Sequence, residues 1–365
     1  MKKILIIIDN FLPGYKFGGP VKSISNLVSS LNNNLDILIC TKNHDYGDKS
    51  VYKQIISNKI TTFDNKKIIY LSKIDSRSIY GIIETFNPDT IYLNSFFGKS
   101  TQLVLLLNII KFQKKIILAP RGELLANALN LKNTKKIIYL AIYKLLRIAK
   151  KISFHATDPI ETSVIKKLFN ITNVTELPNI IKKQNFIALS KDSTETKIIF
   201  LSRISRKKNL IFSLQLLKLI SHDVIFDIYG PKEDIKYWQE CLEVISQLPS
   251  NINVSYKGQI RPEKVLSTMR QYHVFLFPTL SENFGHAIVE SMQAGLVPVI
   301  SDQTPWQNLQ KKNVGWSIPL NRTDDYIQAI NTLCEINSKE YSKKSLRVIQ
   351  FINASTNNKT LIENY

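Results

Sequence analysis

The stretch with the most chemical content is Pro278-Thr279-Leu280-Ser281-Glu282-Asn283-Phe284-Gly285-His286-Ala287-Ile288-Val289-Glu290, which carries two glutamates eight residues apart. A β-branched and aromatic run of strand length, His273 to Phe277, precedes it. A short helix closed by Gly295 comes next, and then a second apolar strand from Leu296 to Ile300. If the helix opens near Phe284, its unpaired N–H groups and positive dipole end face the loop and form an anion site. Glu282 then stands at the end of the strand and Glu290 about two turns further on, so the two cannot share one ligand atom. They suit a long ligand with an anionic middle and hydroxyl groups at either end, which is the layout of a nucleoside diphosphate sugar. The plainer alternative is an ordinary α/β unit with two solvated glutamates.

Arg203 stands at the end of another strand, Lys197 to Ser202, and Lys208 comes shortly after at the mouth of a helix running from Asn209 to Ile220. If these strands are neighbours in a parallel sheet, Arg203, Lys208 and the helix tip at Phe284-Gly285 converge on one anion. Arginine grips phosphate oxygens as a fork and lysine adds a point charge, so together they can neutralise a departing diphosphate. The sequence has no Asp-x-Asp motif and no His/Cys cluster at ligand spacing. No metal and no other cofactor is therefore expected.

The elements that position these groups begin at Lys3–Ile8, a buried parallel strand. The next loop runs through Gly14, Gly18 and Gly19 to Pro20, opening a helix from about Val21 to Leu31. Gly18 and Gly19 permit close approach of a ligand to the backbone, and Pro20 suits a first helical turn. The spacing is not the dinucleotide fingerprint, which argues against a nicotinamide enzyme. Leu35–Cys40, Ile68–Leu71, Thr90–Leu93 and Lys115–Leu118 continue the strand series, and two of these strands end in polar residues, Asn94 and Arg121. The polar stretch 182–196 reads as a linker into a second α/β series. The expected fold class is α/β, two Rossmann-like doubly wound domains facing a central cleft: 1–181 on the acceptor side, 182–340 binding the nucleotide sugar, and a closing helix in 341–365 packing back on the first domain.

Length and composition agree with two soluble domains: 365 residues, 44% apolar and 21% charged. The odd, scattered cysteines, Cys40, Cys241 and Cys334, suggest free thiols in a reducing compartment. The N-terminal apolar run reaches only Ile8 before Asp9, too short for a signal peptide. The net charge of +20 is lopsided: 26 Lys+Arg against 12 Asp+Glu through residue 180, then 23 against 17. Such a surface attracts nucleic acid, anionic lipid or phosphorylated substrates. Residues 132–151 carry seven of the basic residues and no acid. On a helical wheel Lys132, Lys136, Lys144, Arg147, Lys150 and Lys151 share one side, and Ile138, Ala141, Ile142, Leu145 and Ile148 the other. This describes either a helix lying on an anionic membrane or a core-packed helix with a solvated basic face. Nucleic acid is not expected as a partner, because the aromatics are not interleaved with the basic run as a stacking platform would need.

With Ser281-Glu282-Asn283-Phe284-Gly285 through Glu290, Arg203 with Lys208, and Pro178-Asn179, nearly the whole chain resembles a GT-B glycosyltransferase of the large retaining family four. Ala119-Pro120-Arg121-Gly122 resembles a subgroup common in surface-polysaccharide assembly. The resemblance implies that Glu282 and the Asn283–Gly285 backbone, with His286 beside them, hold sugar hydroxyls and phosphate. By it Glu290 takes the ribose, Arg203 and Lys208 the diphosphate, and Gly18 and Gly19 close over it from the first domain. Asn94 and Arg121 stand on the acceptor side, where many members carry a histidine; His155 and His286 are the nearest candidates here, with His155 read as structural. The implied reaction moves a sugar from a nucleoside diphosphate to a hydroxyl of a glycan acceptor; the basic helix and the lopsided charge suggest a polyprenyl-diphosphate-linked acceptor and a cytoplasmic protein peripheral to the membrane. A sugar-nucleotide epimerase of the same architecture is the rival reading, as is, more remotely, a nucleic-acid-binding protein.

Overall fold

A computed structural model describes residues 1–31, 35–125, 134–191 and 194–355. The chain forms two compact units that meet in sequence between Ile181 and Lys182.

In the first unit the strands are β1 (Lys2–Ile7), β2 (Leu35–Lys42), β3 (Ile60–Phe63), β4 (Lys66–Leu71), β5 (Thr90–Asn94), β6 (Lys115–Ala119), β7 (Ser153–Ala156) and β8 (Val174–Glu176). The helices are α1 (Gly19–Ser30), α2 (Ser76–Phe86), α3 (Lys99–Leu107), α4 (Thr134–Leu145) and α5 (Pro159–Phe169). The sheet runs β3-β4-β2-β1-β5-β6-β7-β8, parallel except for β3 on β4. Strands buried on both faces need no polar alternation, which is why Ile4 to Ile8 and Ile91 to Leu93 read as near-continuous apolar runs. One apolar cluster gathers residues of α2, α3, α4 and α5; a second, including Val21, Ile24 and Leu27 of α1, fills another part of the unit. The chain leaves β1 towards β2 on one side and pairs with β5 on the other, so the strand order reverses beside β1, where α/β sheets open a crevice.

The second unit has β9 (Thr196–Leu201), β10 (Val224–Tyr229), β11 (Ile252–Gly258), β12 (Val274–Phe277), β13 (Val297–Ser301) and β14 (Trp316–Ile318). Its helices are α6 (Leu210–Leu217), α7 (Ile235–Ile245), α8 (Pro262–Met269), α9 (His286–Ala294), α10 (Thr323–Glu335) and α11 (Ser338–Ala354). The order β11-β10-β9-β12-β13-β14 is wholly parallel. It winds outward in both directions from the β9–β12 pair, so the loops leaving these two strands adjoin.

Three expectations change. The closing helix, expected to lie across the first domain, packs within the second unit: α11 contacts α9, Tyr341 donates to the His273 carbonyl at 2.8 Å, and the Ser345 hydroxyl accepts from Leu189 N at 2.9 Å. Residues 356–365 lie outside the described residues. The stretch 182–191 is a strap on the same unit, not a free linker: Leu189 is buried and Gln293 holds the Lys182 carbonyl at 2.6 Å. The basic helix is also broken. α4 ends at Leu145, Arg147 takes a left-handed φ of 49°, and a 3-10 turn carries Ile148–Lys151. Its expected start at Lys132 lies outside the described residues.

Candidate active site

After β9 the chain passes Ser202 and Arg203, makes a 3-10 turn over Arg206–Lys208, and enters α6 through a left-handed Asn209. The loop leaving β12 is laced to this turn. Leu280 N and the Thr279 hydroxyl donate to the Lys207 carbonyl at 2.9 and 3.1 Å, and the Asn209 amide to the Pro278 carbonyl at 2.9 Å. On its other side the same loop is held by the end of β13 and the turn beyond it: Ser301 Oγ donates to the Thr279 carbonyl at 2.5 Å and Glu282 N to the Gln303 carbonyl at 2.9 Å. The result is that Lys208, almost fully buried and lying over the Phe277 ring, forms an ion pair with Glu282.

α9 opens at His286, two residues later than the sequence suggested, with Gly285 as its N-cap and no side chain capping it. Gly285 has φ 77°, and a Cβ there would stand 2.7 Å from Ile288 Cδ1, so glycine is required both by conformation and by space. The indole of Trp306 donates to the Phe284 carbonyl at 2.7 Å, and the Phe284 ring packs edge-on to His286. From Ile288 to Ala294 the helix is buried, Glu290 included. A cation, an uncapped helix mouth and a carboxylate thus meet at the adjoining ends of β9 and β12.

Arg203 is half-exposed and donates through Nη1 to Glu233 at 2.6 Å. Lys207 reports on the field of the whole group. Its amine is held below the usual range, first by the protein packed around it and then by Lys208, with Glu282 opposing and Arg203 adding.

In the first unit, Gly18 caps α1 with φ 77° and nothing within 4 Å of a would-be Cβ; only its backbone geometry calls for glycine. The loop before it is clasped by Asp45, whose Oδ2 accepts from Tyr15 N at 2.9 Å and Lys16 N at 3.2 Å. At the ends of β5 and β6 two non-glycine residues, Ser95 and Arg121, adopt positive φ of 86° and 57°. The Arg121 guanidinium is locked by neutral oxygens. Nε and Nη2 donate to Asn94 Oδ1 at 3.2 and 3.1 Å, Nη1 to Asn179 Oδ1 at 2.7 Å, and Nη2 to the Tyr92 hydroxyl at 2.9 Å. That hydroxyl in turn donates to His155 Nδ1 at 2.6 Å, leaving Nε2 to donate to the Leu177 carbonyl at 2.8 Å. Burial, and then the charge of Arg121, push the His155 pKa down to about 3, so the imidazole is neutral and sits in the framework.

Residues 181–349 match the family model for glycosyl transferases group 1. That match covers most of the second unit. A Streptococcus agalactiae protein, the UDP-N-acetylglucosamine–peptide N-acetylglucosaminyltransferase GtfA subunit, is 27% identical over 176 residues, 45% of this chain and 33% of that protein. The chain therefore spans about a third of the length of that relative. Among solved structures, sucrose-phosphate synthase from Thermosynechococcus elongatus superposes with a TM-score of 0.76 at 14% identity, covering 100% of this chain and 97% of that one. Anabaena HepE in complex with UDP and glucose gives 0.73 at 13%, covering 100% and 98%. The fold class is thus two Rossmann-like α/β units of the GT-B glycosyltransferase kind.

Within the second unit the structure brings together Lys208, Glu282 and the Asn283–His286 mouth of α9. Glu290 lies buried further along the same helix, and Arg203 is engaged by Glu233. Gly18, Gly19, Asn94 and Arg121 belong to the first unit. Sequence reasoning missed Glu233, which comes after β10 and becomes a neighbour of Arg203 only because β10 pairs with β9. It gave no specific role to Tyr92, Glu123 or Glu161. Glu123 accepts from Phe96 N, Phe97 N and Ser95 Oγ, and Glu161 from Gly122 N and Thr157 N. Both carboxylates lie in the polar segments that follow strands β6 and β7, and that placement was the available signal.

Proposed function

We propose that the protein is a retaining glycosyltransferase that moves a sugar from a nucleoside diphosphate to a hydroxyl of a glycan acceptor. The reading rests above all on the Lys208–Glu282 pair at the mouth of α9. In the free protein the carboxylate satisfies the buried ammonium. When the donor enters, a phosphate oxygen replaces Glu282 on Lys208, and Glu282 turns to the hydroxyls of the sugar. The α9 amides take the remaining phosphate charge, Arg203 exchanges Glu233 for phosphate, and Glu290 takes the ribose hydroxyls. Gly18 and Gly19 serve as the part of the first unit that closes on the diphosphate.

The acceptor oxygen bonds to the anomeric carbon on the side from which the diphosphate departs. The bond from that carbon to the phosphate oxygen breaks, and the acceptor proton passes to the departing phosphate. The chain then supplies position and fixed positive charge, with no enzyme nucleophile. Metal independence is part of the proposal: Lys208, Arg203 and the helix dipole supply the charge. On the first unit, Arg121, held by Asn94 and Asn179, keeps a cation in place for the acceptor. We take that acceptor to be polyprenyl-diphosphate-linked, in surface-polysaccharide (lipopolysaccharide or capsule) synthesis by a cytoplasmic, peripherally attached enzyme.

HepE is described with UDP and glucose and GtfA acts with UDP-N-acetylglucosamine, so these UDP-sugars head the donor panel. Thermal shift against nucleotide sugars tests the reading: a ligand at about a hundred times its Kd adds about 2.7 kcal/mol. A panel with no shift refutes donor binding. Free nucleoside diphosphate released at full rate without any acceptor, or a donor epimerised in place, refutes transfer.

A further inference from the structure

The wheel of residues 132–151 pairs a basic side with an apolar side, and in the structure most of the apolar side faces outward. The inner face of α4 is aromatic: Tyr143 is fully buried, and Tyr139 and Tyr143 pack on Phe96, with Tyr143 also against Phe169. Aliphatic residues of α4 and the turn after it stand in solvent instead: Ile137 is 68% exposed, Ile138 58%, Ile142 48%, Leu145 81% and Leu146 54%. At about 3.6 residues per turn, Ile137, Ile138, Ala141, Ile142 and Leu145 fill one continuous arc of the helix. Exposed Lys144, Arg147, Lys150 and Lys151 lie beside this strip and beyond its C-terminal end. Scattered exposed leucines need no explanation, but five large aliphatics on ten consecutive residues do.

We propose that α4 lies in the surface of an anionic lipid bilayer, its aliphatic arc seated among the acyl chains and its cations at the headgroups. The occupant is argued from charge. The described residues of this face carry four cations and no acid, within a half of the chain that holds the larger part of the positive surplus. An apolar strip rimmed by lysine and arginine matches a negatively charged interface, since it can insert and neutralise at once. Among the described residues no helix is long and apolar enough to cross a membrane, so the attachment is interfacial. The purpose of such docking rests on the lipid-linked acceptor read above; its test does not.

The whole chain is mixed with vesicles of phosphatidylcholine alone or containing phosphatidylglycerol, and sedimented. The expected result is pelleting with the anionic vesicles, weakened by salt, and reduced about tenfold or more in the double variant Ile138→Asp, Leu145→Asp. Both side chains are exposed, so an unchanged thermal midpoint certifies the fold. Lys144→Gln with Lys150→Gln should weaken binding to the anionic vesicles only. Absence of pelleting at low salt, or equal pelleting of the double variant, overturns the proposal. A self-associated protein that the double variant makes monomeric, without lipid binding, overturns it in favour of a second copy of the chain. UDP-sugar thermal shift run in parallel separates the two readings: it survives if only the docking is wrong.

Discussion

Lys208 and Glu282, 74 residues apart, pair at the adjoining ends of two neighbouring parallel strands. A buried ion pair is poor evidence of stability, because desolvating both charges offsets most of their attraction. At an uncapped helix mouth it makes better sense as a charge arrangement kept ready for an anion. Lys208→Ala should therefore reduce turnover about a hundredfold to a thousandfold, equivalent to about 2.7–4 kcal/mol of lost leaving-group stabilisation. Steady-state rates with the preferred donor check this; near-normal turnover would remove Lys208 from the phosphate site.

Arg203 and Glu233 allow a test in the opposite direction. Their pair is half-exposed, hence worth no more than about 1 kcal/mol. If Arg203 must leave Glu233 to reach phosphate, Glu233→Gln should tighten UDP binding about two- to fivefold, while Arg203→Ala weakens it about tenfold. Calorimetric titration of both variants decides. Equal, small losses in the two would mean that the pair is only a surface tie.

His155 carries a pH dependence whose sign is fixed by its environment. Its folded-state pKa, about 3, lies below the ordinary value of 6.5. The unfolded chain therefore takes up the proton first as pH falls. The stability tied to the neutral ring is complete above pH 6.5 and drains away towards pH 3. Between pH 7 and pH 5 the loss should be roughly 2 kcal/mol, at about 1.4 kcal/mol per unit of separation. Thermal midpoints across this window, compared with His155→Gln, measure it; the variant should give the flatter slope.

Gly285→Ala should destabilise the second unit by about 1–2 kcal/mol through its left-handed backbone, with a further cost as Ile288 yields to the new methyl group. Differential scanning calorimetry reads the stability, and UDP affinity should fall with it because the α9 amides shift. A variant of unchanged midpoint would show that the turn relaxes freely.

Much of the architecture was legible in the sequence. Apolar strand runs and the polar residues at their ends marked two wound units and the convergence of Lys208 with the Glu282 loop, because parallel strands must carry side chains at their C-terminal ends into one region. Other relationships needed the fold. Glu233 reaches Arg203 only through strand order. Asn179 was singled out, but nothing local linked it to Arg121, 58 residues earlier. The wheel of α4 found an apolar and a basic stripe but left open whether the apolar one met the core or a bilayer. Hydropathy favours isoleucine over tyrosine, yet the cavity beside Phe96 and Phe169 is filled by aromatic rings, and the left-handed Arg147 sends Ile148 inward while Leu145 stays out.

One main-chain hydrogen bond and two from the Thr279 and Asn209 side chains join the Lys207–Asn209 turn to Pro278–Leu280, so each segment is part of the other's scaffold. Anyone grafting donor preference from a relative would have to exchange both segments as a set, since either one transplanted alone would arrive without the partner that gives it its shape.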